Sequence, residues 1–161
     1  MNKFPRSAYV HIPFCHRRCF YCDFAVIPLG NKVETLQGYG SKTVKEYLHF
    51  LYKEILSIKH KSSLSTIYVG GGTPSILDPQ QIKQLIDLFK ENYGVDYGAE
   101  ITMEVDPASF NLDDLHGFIN AGINRFSLGV QSFNNQILQK SGRRHLREDA
   151  EKSCLWLKKV Y

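Results

Sequence analysis

The chain has 161 residues, one domain's worth, with 43% hydrophobic and 22% charged residues. That balance excludes a disordered tail, a collagen-like fibre and a coiled coil, and no apolar run reaches the ~20 residues of a membrane-spanning helix. The net charge of +4 is spread over Arg17 and Arg18, Lys59 to Lys61, Arg143 and Arg144, and Lys158 and Lys159. No continuous basic stripe appears, so no nucleic-acid partner is expected and the cations read as solvated surface.

The stretch from Met1 to Phe14 interleaves Lys3, Arg6 and His11 with apolar residues. It has neither the apolar run nor the small-residue cleavage site of a signal peptide, so a cytoplasmic location is expected. Ala8 to Ile12 is β-prone and leads into a loop with Cys15, Cys19 and Cys22, which continues through Pro28, Gly30 and Asn31 to about Lys42. Val44, Tyr47, Leu48, Leu51, Ile55 and Ile58 recur at helical spacing and predict a helix from Thr43 to Lys59. Ser65 to Val69 predicts a second strand, ended by Gly70, Gly71 and Gly72. Asp78 is a plausible N-cap with Pro79 at the first helical position, opening a helix to Asn92. Glu100 to Val105 predicts a third strand, broken by Asp106-Pro107. Asn111 caps a short helix that Gly122 ends, Asn124 to Val130 predicts a fourth strand, and helices follow from about Asn134 and over Arg147 to Val160.

Four β-then-α units in series imply an α/β fold with a parallel sheet. In such sheets functional residues gather at the carboxyl ends of strands, and every unusual motif of this sequence falls there. Four strands curved toward a barrel leave an open edge and an uncovered inner face, so the chain is expected to be part of a larger barrel.

Three cysteines within eight residues, in a reducing compartment, point to metal or redox chemistry rather than disulfides. Cys15-x3-Cys19-x2-Cys22 can supply three corners of a cubane iron–sulfur cluster and leave one iron without a protein ligand, where a ferredoxin uses four cysteines. Zinc is the alternative, with His11 or His16 as a fourth ligand, but zinc sites usually draw on two separated pairs and no second pair is visible. Phe14, Phe20, Tyr21 and Phe24 are expected to shield the ligands. Cys154, in a helical pattern, reads as a small buried hydrophobe.

The run Tyr9-Val-His-Ile-Pro-Phe-Cys15 through Tyr21-Cys22 resembles the radical S-adenosylmethionine (SAM) enzymes, specifically the oxygen-independent coproporphyrinogen III oxidase group, and the resemblance extends to about His145. It implies a partial TIM-like barrel over 1–161, a 4Fe-4S cluster held by Cys15, Cys19 and Cys22, and SAM chelated at the open iron. One-electron reduction then yields methionine and a 5′-deoxyadenosyl radical. Tyr9 and Tyr21 match positions that touch SAM.

Gly70-Gly71-Gly72-Thr73-Pro74-Ser75 is neither a Walker loop nor a dinucleotide fingerprint, since no Gly-Lys-Ser/Thr follows and Ser75 replaces the third glycine. In isolation it is equally a tight strand-to-helix turn. By resemblance, Gly71, Gly72 and Thr73 meet the methionine amino group. Glu104 could accept hydrogen bonds from ribose hydroxyls or an ammonium group, or could simply face solvent; the resemblance makes it a SAM contact. Gln131 offers a neutral donor and acceptor, and Arg143 a planar fork for a carboxylate, and both match family contacts to SAM. Arg144 and Arg147 read as surface charges, His145 matches a recurring family position without an assigned role, and His49, His60 and His116 look ordinary.

The group contains the true oxidase and a heme chaperone. The oxidase usually carries an extra cysteine two residues after the third cluster ligand; here Phe24 stands there, which favours the chaperone branch, in which Cys-Asp-Phe is common. The implied partners are SAM, an electron donor such as flavodoxin or ferredoxin, and porphyrin or heme through a C-terminal part that these residues do not include. An inactive metal-binding remnant is the reading from a different class.

Overall fold

The computed structural model describes residues 4–30, 39–58 and 62–160. The expected loop after Asn31, the Lys59 to Lys61 cations and His60 lie wholly or mainly outside them. The strands are β1 (Ser7–Ile12), β2 (Phe14–Cys15), β3 (Ile27–Pro28), β4 (Leu64–Gly71), β5 (Val95–Val105) and β6 (Arg125–Leu128). The helices are α1 (Tyr39–Ser57), α2 (Pro79–Asn92), α3 (Leu112–Ala121), α4 (Asn135–Lys140) and α5 (Arg147–Val160), with a 3-10 turn over Pro74–Ile76.

A four-stranded parallel sheet in the order β1-β4-β5-β6 forms the body, each strand beside its neighbour in the β/α series. The expected α/β architecture is therefore the observed one. Period-two alternation divides the sheet into two faces. Val10 and Ile12, Ile67 and Val69, and Ile101, Met103 and Val105 are buried beneath the helices. The apolar faces of α1 (Val44, Leu48, Ile55), α2 (Ile82, Leu85, Ile86, Phe89) and α3 (Leu115, Phe118, Ala121) complete one core. Each of the fully buried Leu and Ile side chains there contributes on the order of 1.5–3 kcal/mol of burial free energy. The opposite face places Tyr9 beside Tyr68, Tyr68 beside Thr102, and Glu104 beside Ser127. It is polar and aromatic.

Local chemistry sets the boundaries. Asp78 closes a capping box with Gln81 and Asn111 one with Asp114, and Gly122 ends α3 in the left-handed conformation at φ 109°. Helix α1 starts at Tyr39, earlier than the apolar repeat indicates, because its first turn precedes Val44, the first residue to reach the core. Strand β5 starts at Val95 rather than Glu100: Val95 pairs with Leu64 before a register shift, and turn-prone Asp96 and Gly98 hid that extension. Strand β6 stops at Leu128 rather than Val130, because two tight turns follow, Val130 N–H to Leu128 O (3.0 Å) and Ser132 N–H to Val130 O (2.7 Å).

Cys154 corrects an expectation: it is exposed. The buried stripe of α5 runs through Ala150 and Ser153, with Leu157 packed against the core, and Ser153 Oγ donates to Pro107 O at 3.2 Å. One position of helical phase turns Cys154 outward. Among the described residues no helix is long and apolar enough to cross a membrane.

Gly117 lies in the middle of α3, where alanine would ordinarily gain about 1 kcal/mol of helix propensity. A Cβ there would sit 2.5 Å from Pro79 Cβ at the start of α2. Overpacking of this kind costs about 1–3 kcal/mol, so Gly117→Ala is expected to lower stability by about 1 kcal/mol net. Equilibrium urea unfolding checks it, and a raised midpoint contradicts the α2–α3 packing.

Candidate functional site

The loop from Cys15 to Gly30 is tied down at several points. β2 pairs with β3, Ile27 N–H donates to Pro13 O (2.7 Å), Leu29 N–H to Cys15 O (2.8 Å), and Gly30 N–H to His16 O (2.8 Å). Cys22 N–H donates to Cys19 O (3.1 Å) and Arg18 Nε to Cys22 O (2.9 Å). The loop is also anchored from afar: Phe20 N–H donates to Ser141 O (3.1 Å) and Arg17 to the backbone carbonyl of Arg143. Cys15 is buried, Cys19 and Cys22 are half-buried, and all three are free thiols. Burial pushes the Cys15 thiol pKa up, against the opposing hydrogen bond from Thr73 Oγ1 at 3.5 Å. The expected aromatic shield is only partly realised: Phe14 is fully buried and Tyr21 and Phe24, though exposed, line the cavity of the thiols, whereas Phe20 is 81% exposed and does not.

These thiols line one wall of a cavity of about 580 Å³ at the carboxyl ends of the strands. Gly71, Gly72 and Thr73 form a second wall, brought close by the absence of side chains. A Cβ on Gly72 would stand 2.6 Å from Phe14 O and 2.8 Å from Cys15 Sγ, and Gly71 adopts φ 117° with the His11 ring where its Cβ would lie. Gly72 N–H donates to Ile12 O (2.8 Å) and Thr73 N–H to Phe14 O (2.7 Å), so the glycine turn is stitched to the cysteine strand.

Glu104 lines the cavity at the end of β5. Tyr68 Oη donates to its Oε1 (2.7 Å) and Gly71 N–H to its Oε2 (3.1 Å), which fixes the carboxylate plane. Burial, then the neighbouring Glu104, raises the Tyr68 pKa and keeps it a donor. Tyr9, by contrast, does not line the cavity. It stacks on Tyr68 at 6.0 Å and its hydroxyl reaches His11 Nδ1 (3.0 Å). His11 Nε2 donates to Ala25 O (3.0 Å), so Nδ1 is the acceptor and Tyr9 the donor.

Gln131 and Arg143 close the remaining side, with Tyr21 beside Arg143. Gln131 has φ 62°, the sole positive φ at a non-glycine among the described residues. Arg143 is largely buried: Nη2 pairs with the Asp106 carboxylate and donates to Gly129 O (3.0 Å), and Nη1 lies 3.7 Å from Cys19 Sγ. Burial alone would lower its pKa, but Asp106 and the Tyr21 and Cys19 groups outweigh it and raise the value, so the guanidinium stays charged. The planar fork that Arg143 offers to a carboxylate is shared with Asp106. Arg144 is exposed at the rim and Arg147 pairs with Glu151 on the surface of α5, both consistent with surface charges.

Ten of the eleven residues singled out in the sequence therefore share one cavity, and Tyr9 lies behind it. Sequence reasoning missed Tyr68, Asp106 and His145. Tyr68 carried a signal, since it precedes the glycine run by two positions and so shares the face of Gly70. Asp106 stood out only as a strand breaker and His145 only as a recurring family position, because both act through the non-local Arg143. Among the described residues no group of three His, Cys, Asp or Glu side chains is arranged around a single metal ion.

Residues 9–161 match the model of the Radical SAM superfamily, and the chain belongs to that superfamily. It is 41% identical over 150 residues to a heme chaperone HemW of Synechocystis, covering 92% of this chain and 35% of the relative. It is 38% identical over 157 residues to the HemW of Lactococcus lactis, covering 97% and 38%. It is 40% identical over 139 residues to the oxygen-independent coproporphyrinogen III oxidase of Escherichia coli, covering 83% and 28%. The solved coproporphyrinogen III oxidase HemN of Escherichia coli, described as a radical SAM enzyme, superposes with a TM-score of 0.80 at 33% identity, over 98% of this chain and 35% of that one. The chain thus spans well under half the length of these relatives, and its sheet corresponds to part of a barrel.

The cysteines should differ in reactivity toward iodoacetamide in the reduced, metal-free chain at pH 7. Exposed Cys154 is expected to alkylate first and Cys15 last, because Cys15 is buried and its raised pKa leaves less thiolate. Raising the pH narrows the gap as Cys15 ionises. Peptide mass spectrometry over time reads the order, and labelling of Cys15 as fast as Cys154 contradicts the buried placement.

Proposed function

We propose that Cys15, Cys19 and Cys22 hold a 4Fe-4S cluster, that SAM binds against it in the same cavity, and that residues 1–161 form the cluster-bearing part of the radical SAM core of a heme chaperone. One observation carries the reading: a single cavity collects three free thiols on a tight loop, a side-chain-free glycine turn, Glu104, Gln131 and a buried cationic Arg143. The donor set fits, since soft thiolates select iron–sulfur clusters and three of them leave one iron open. The glycine turn fits as well, because any Cβ at Gly72 would collide with Cys15 Sγ.

When bound, the cluster and SAM supply one-electron chemistry that ends in hydrogen abstraction; the protein binds and orients them. Gly71, Gly72 and Thr73 offer backbone groups and a hydroxyl to the methionine amino end. Glu104, held by Tyr68 and Gly71, accepts from ribose hydroxyls or an ammonium group. Arg143 supplies fixed positive charge for the methionine carboxylate, sharing it with Asp106. Gln131 and Tyr21 contribute neutral contacts. Tyr9, one ring outside the cavity, supports Tyr68 and through it Glu104. Buried Phe14 keeps water from Cys15.

The chaperone reading is favoured over the oxidase by Phe24, which stands where the oxidase usually has its extra cysteine. We place heme binding outside residues 1–161. Partners follow the same proposal: heme, and an electron donor such as flavodoxin or ferredoxin, in the reducing cytoplasm that free clustered thiols require.

The full reading frame, reconstituted anaerobically with iron and sulfide, tests these statements together. Reduction with dithionite in the presence of SAM is expected to release 5′-deoxyadenosine, and its absence sinks the radical SAM reading. Hemin should bind without decarboxylation of coproporphyrinogen III; a decarboxylated product identifies the oxidase instead. Cys19→Ala is expected to abolish the brown absorbance, and unchanged iron and sulfide content shows that the ligand assignment is wrong.

A further inference from the structure

His145 is almost fully buried, at 1% exposure, beneath the rim formed by Gln131 and Arg143. Its two ring nitrogens face different elements. Nδ1 receives Arg143 Nε (3.3 Å) and Nη2 (3.1 Å), and Nε2 lies 2.9 Å from Val130 O. Every guanidinium nitrogen is a donor, so Nδ1 must accept. The Val130 carbonyl can only accept, so Nε2 must carry the proton. Asp106 Oδ1, a further polar group near Nδ1, is at 3.9 Å, beyond hydrogen-bond reach. The contacts therefore select one neutral tautomer, protonated on Nε2.

Both partners are residues whose geometry the rim depends on. Arg143 Nη2 has three acceptors around it for two protons, and the His145 acceptor takes Nε–H and fixes the rotation of the guanidinium plane. The Val130 carbonyl also accepts Ser132 N–H across Gln131, the residue with φ 62°. A tight turn of that hand is strained for a side-chain-bearing residue and persists only when its surroundings over-determine it. Arg143 and Gln131 arise from separate loops, and one imidazole holds both.

We infer that His145 is a positioning residue: as the Nε2-protonated tautomer, it sets the plane of Arg143 and pins the strained turn at Gln131, and so couples the two sides of the SAM rim. The inference rests on the proposal that Arg143 and Gln131 face SAM; the tautomer itself does not.

Two measurements test it on the full reading frame. Nitrogen-15 NMR of the histidine-labelled, metal-free protein is expected to show His145 as the Nε2–H tautomer, assigned by its loss in His145→Leu. An Nδ1–H tautomer or an imidazolium at neutral pH overturns the inference with no reference to any cofactor. Equilibrium binding of SAM to the reconstituted, oxidised protein, where no turnover occurs, is the second. Loss of a buried hydrogen-bond partner is worth about one factor of ten, so His145→Leu should weaken binding about tenfold. His145→Asn, whose Oδ1 can accept in place of Nδ1, should recover most of it. Equal binding by wild type, Leu and Asn variants overturns the positioning role, as does equal weakening by Leu and Asn in folded protein. Failure of the wild type to bind SAM instead removes the proposed function, and the tautomer measurement still decides what His145 does to Arg143.

Discussion

Everything at this site depends on how closely the end of β4 approaches the start of the cysteine loop. Gly71 and Gly72 lie against His11, Phe14 and Cys15 at separations that exclude a Cβ, and two backbone hydrogen bonds lock the approach. Because the strands are parallel and in register, that single constraint fixes where the first thiol stands relative to Glu104 on the next strand. The neighbouring Glu104 carboxylate then binds the same turn from the other side through Gly71 N–H. A side chain at either glycine would displace the loop, the turn or both.

Charge is balanced within the cavity rather than across the surface. Buried Arg143 sits among a carboxylate, a thiol and a phenol, and those neighbours outweigh the desolvation that would otherwise favour losing its proton. Removing Asp106 would leave a buried cation without a fixed counter-charge, and removing Arg143 would leave acid and thiol groups facing one another. The cavity can therefore take up further negative charge, from thiolates or from a ligand carboxylate, without first moving a cation in from solvent. The scattered surface pairs, such as Arg147–Glu151 and Lys83–Asp87, do no comparable work.

Much of the fold was legible because its signals are local. Asp78-Pro79, Asn111 and Gly122 announce helix ends through caps that need only neighbours in sequence, and they fall where the structure has them. The site was legible where motifs sit at strand ends. What was hidden is non-local or a matter of phase. Cys154 differs from Ser153 by one helical step, too small for the apolar pattern of α5 to resolve. Exposed Phe20 could not be separated from buried Phe14, because a loop has no period from which to read a side. The pairing of Arg143 with Asp106 was hidden because Asp106 is 37 residues away in sequence and meets it only in the fold.

Gly71, the last residue of β4, and Gln131, in the turns after β6, both adopt positive φ, and both face the cavity. The costs there, of order 1–3 kcal/mol at a non-glycine residue, fall at the one edge of the molecule that the hydrophobic face does not stabilise directly. At Gly71 the backbone is sustained from behind, where β4 and β5 bury Val69, Met103 and Val105 under the helices; at Gln131 the turn is held by the Ser132 and His145 hydrogen bonds to Val130 O. Glycine removes the penalty at position 71, where the backbone must touch the cysteine loop. At 131 the rim carries a side chain, and the strain is held by contacts instead. Two strand ends on one side of the sheet thus meet the same steric problem in opposite ways, one with bare backbone and one with a side chain held by its contacts.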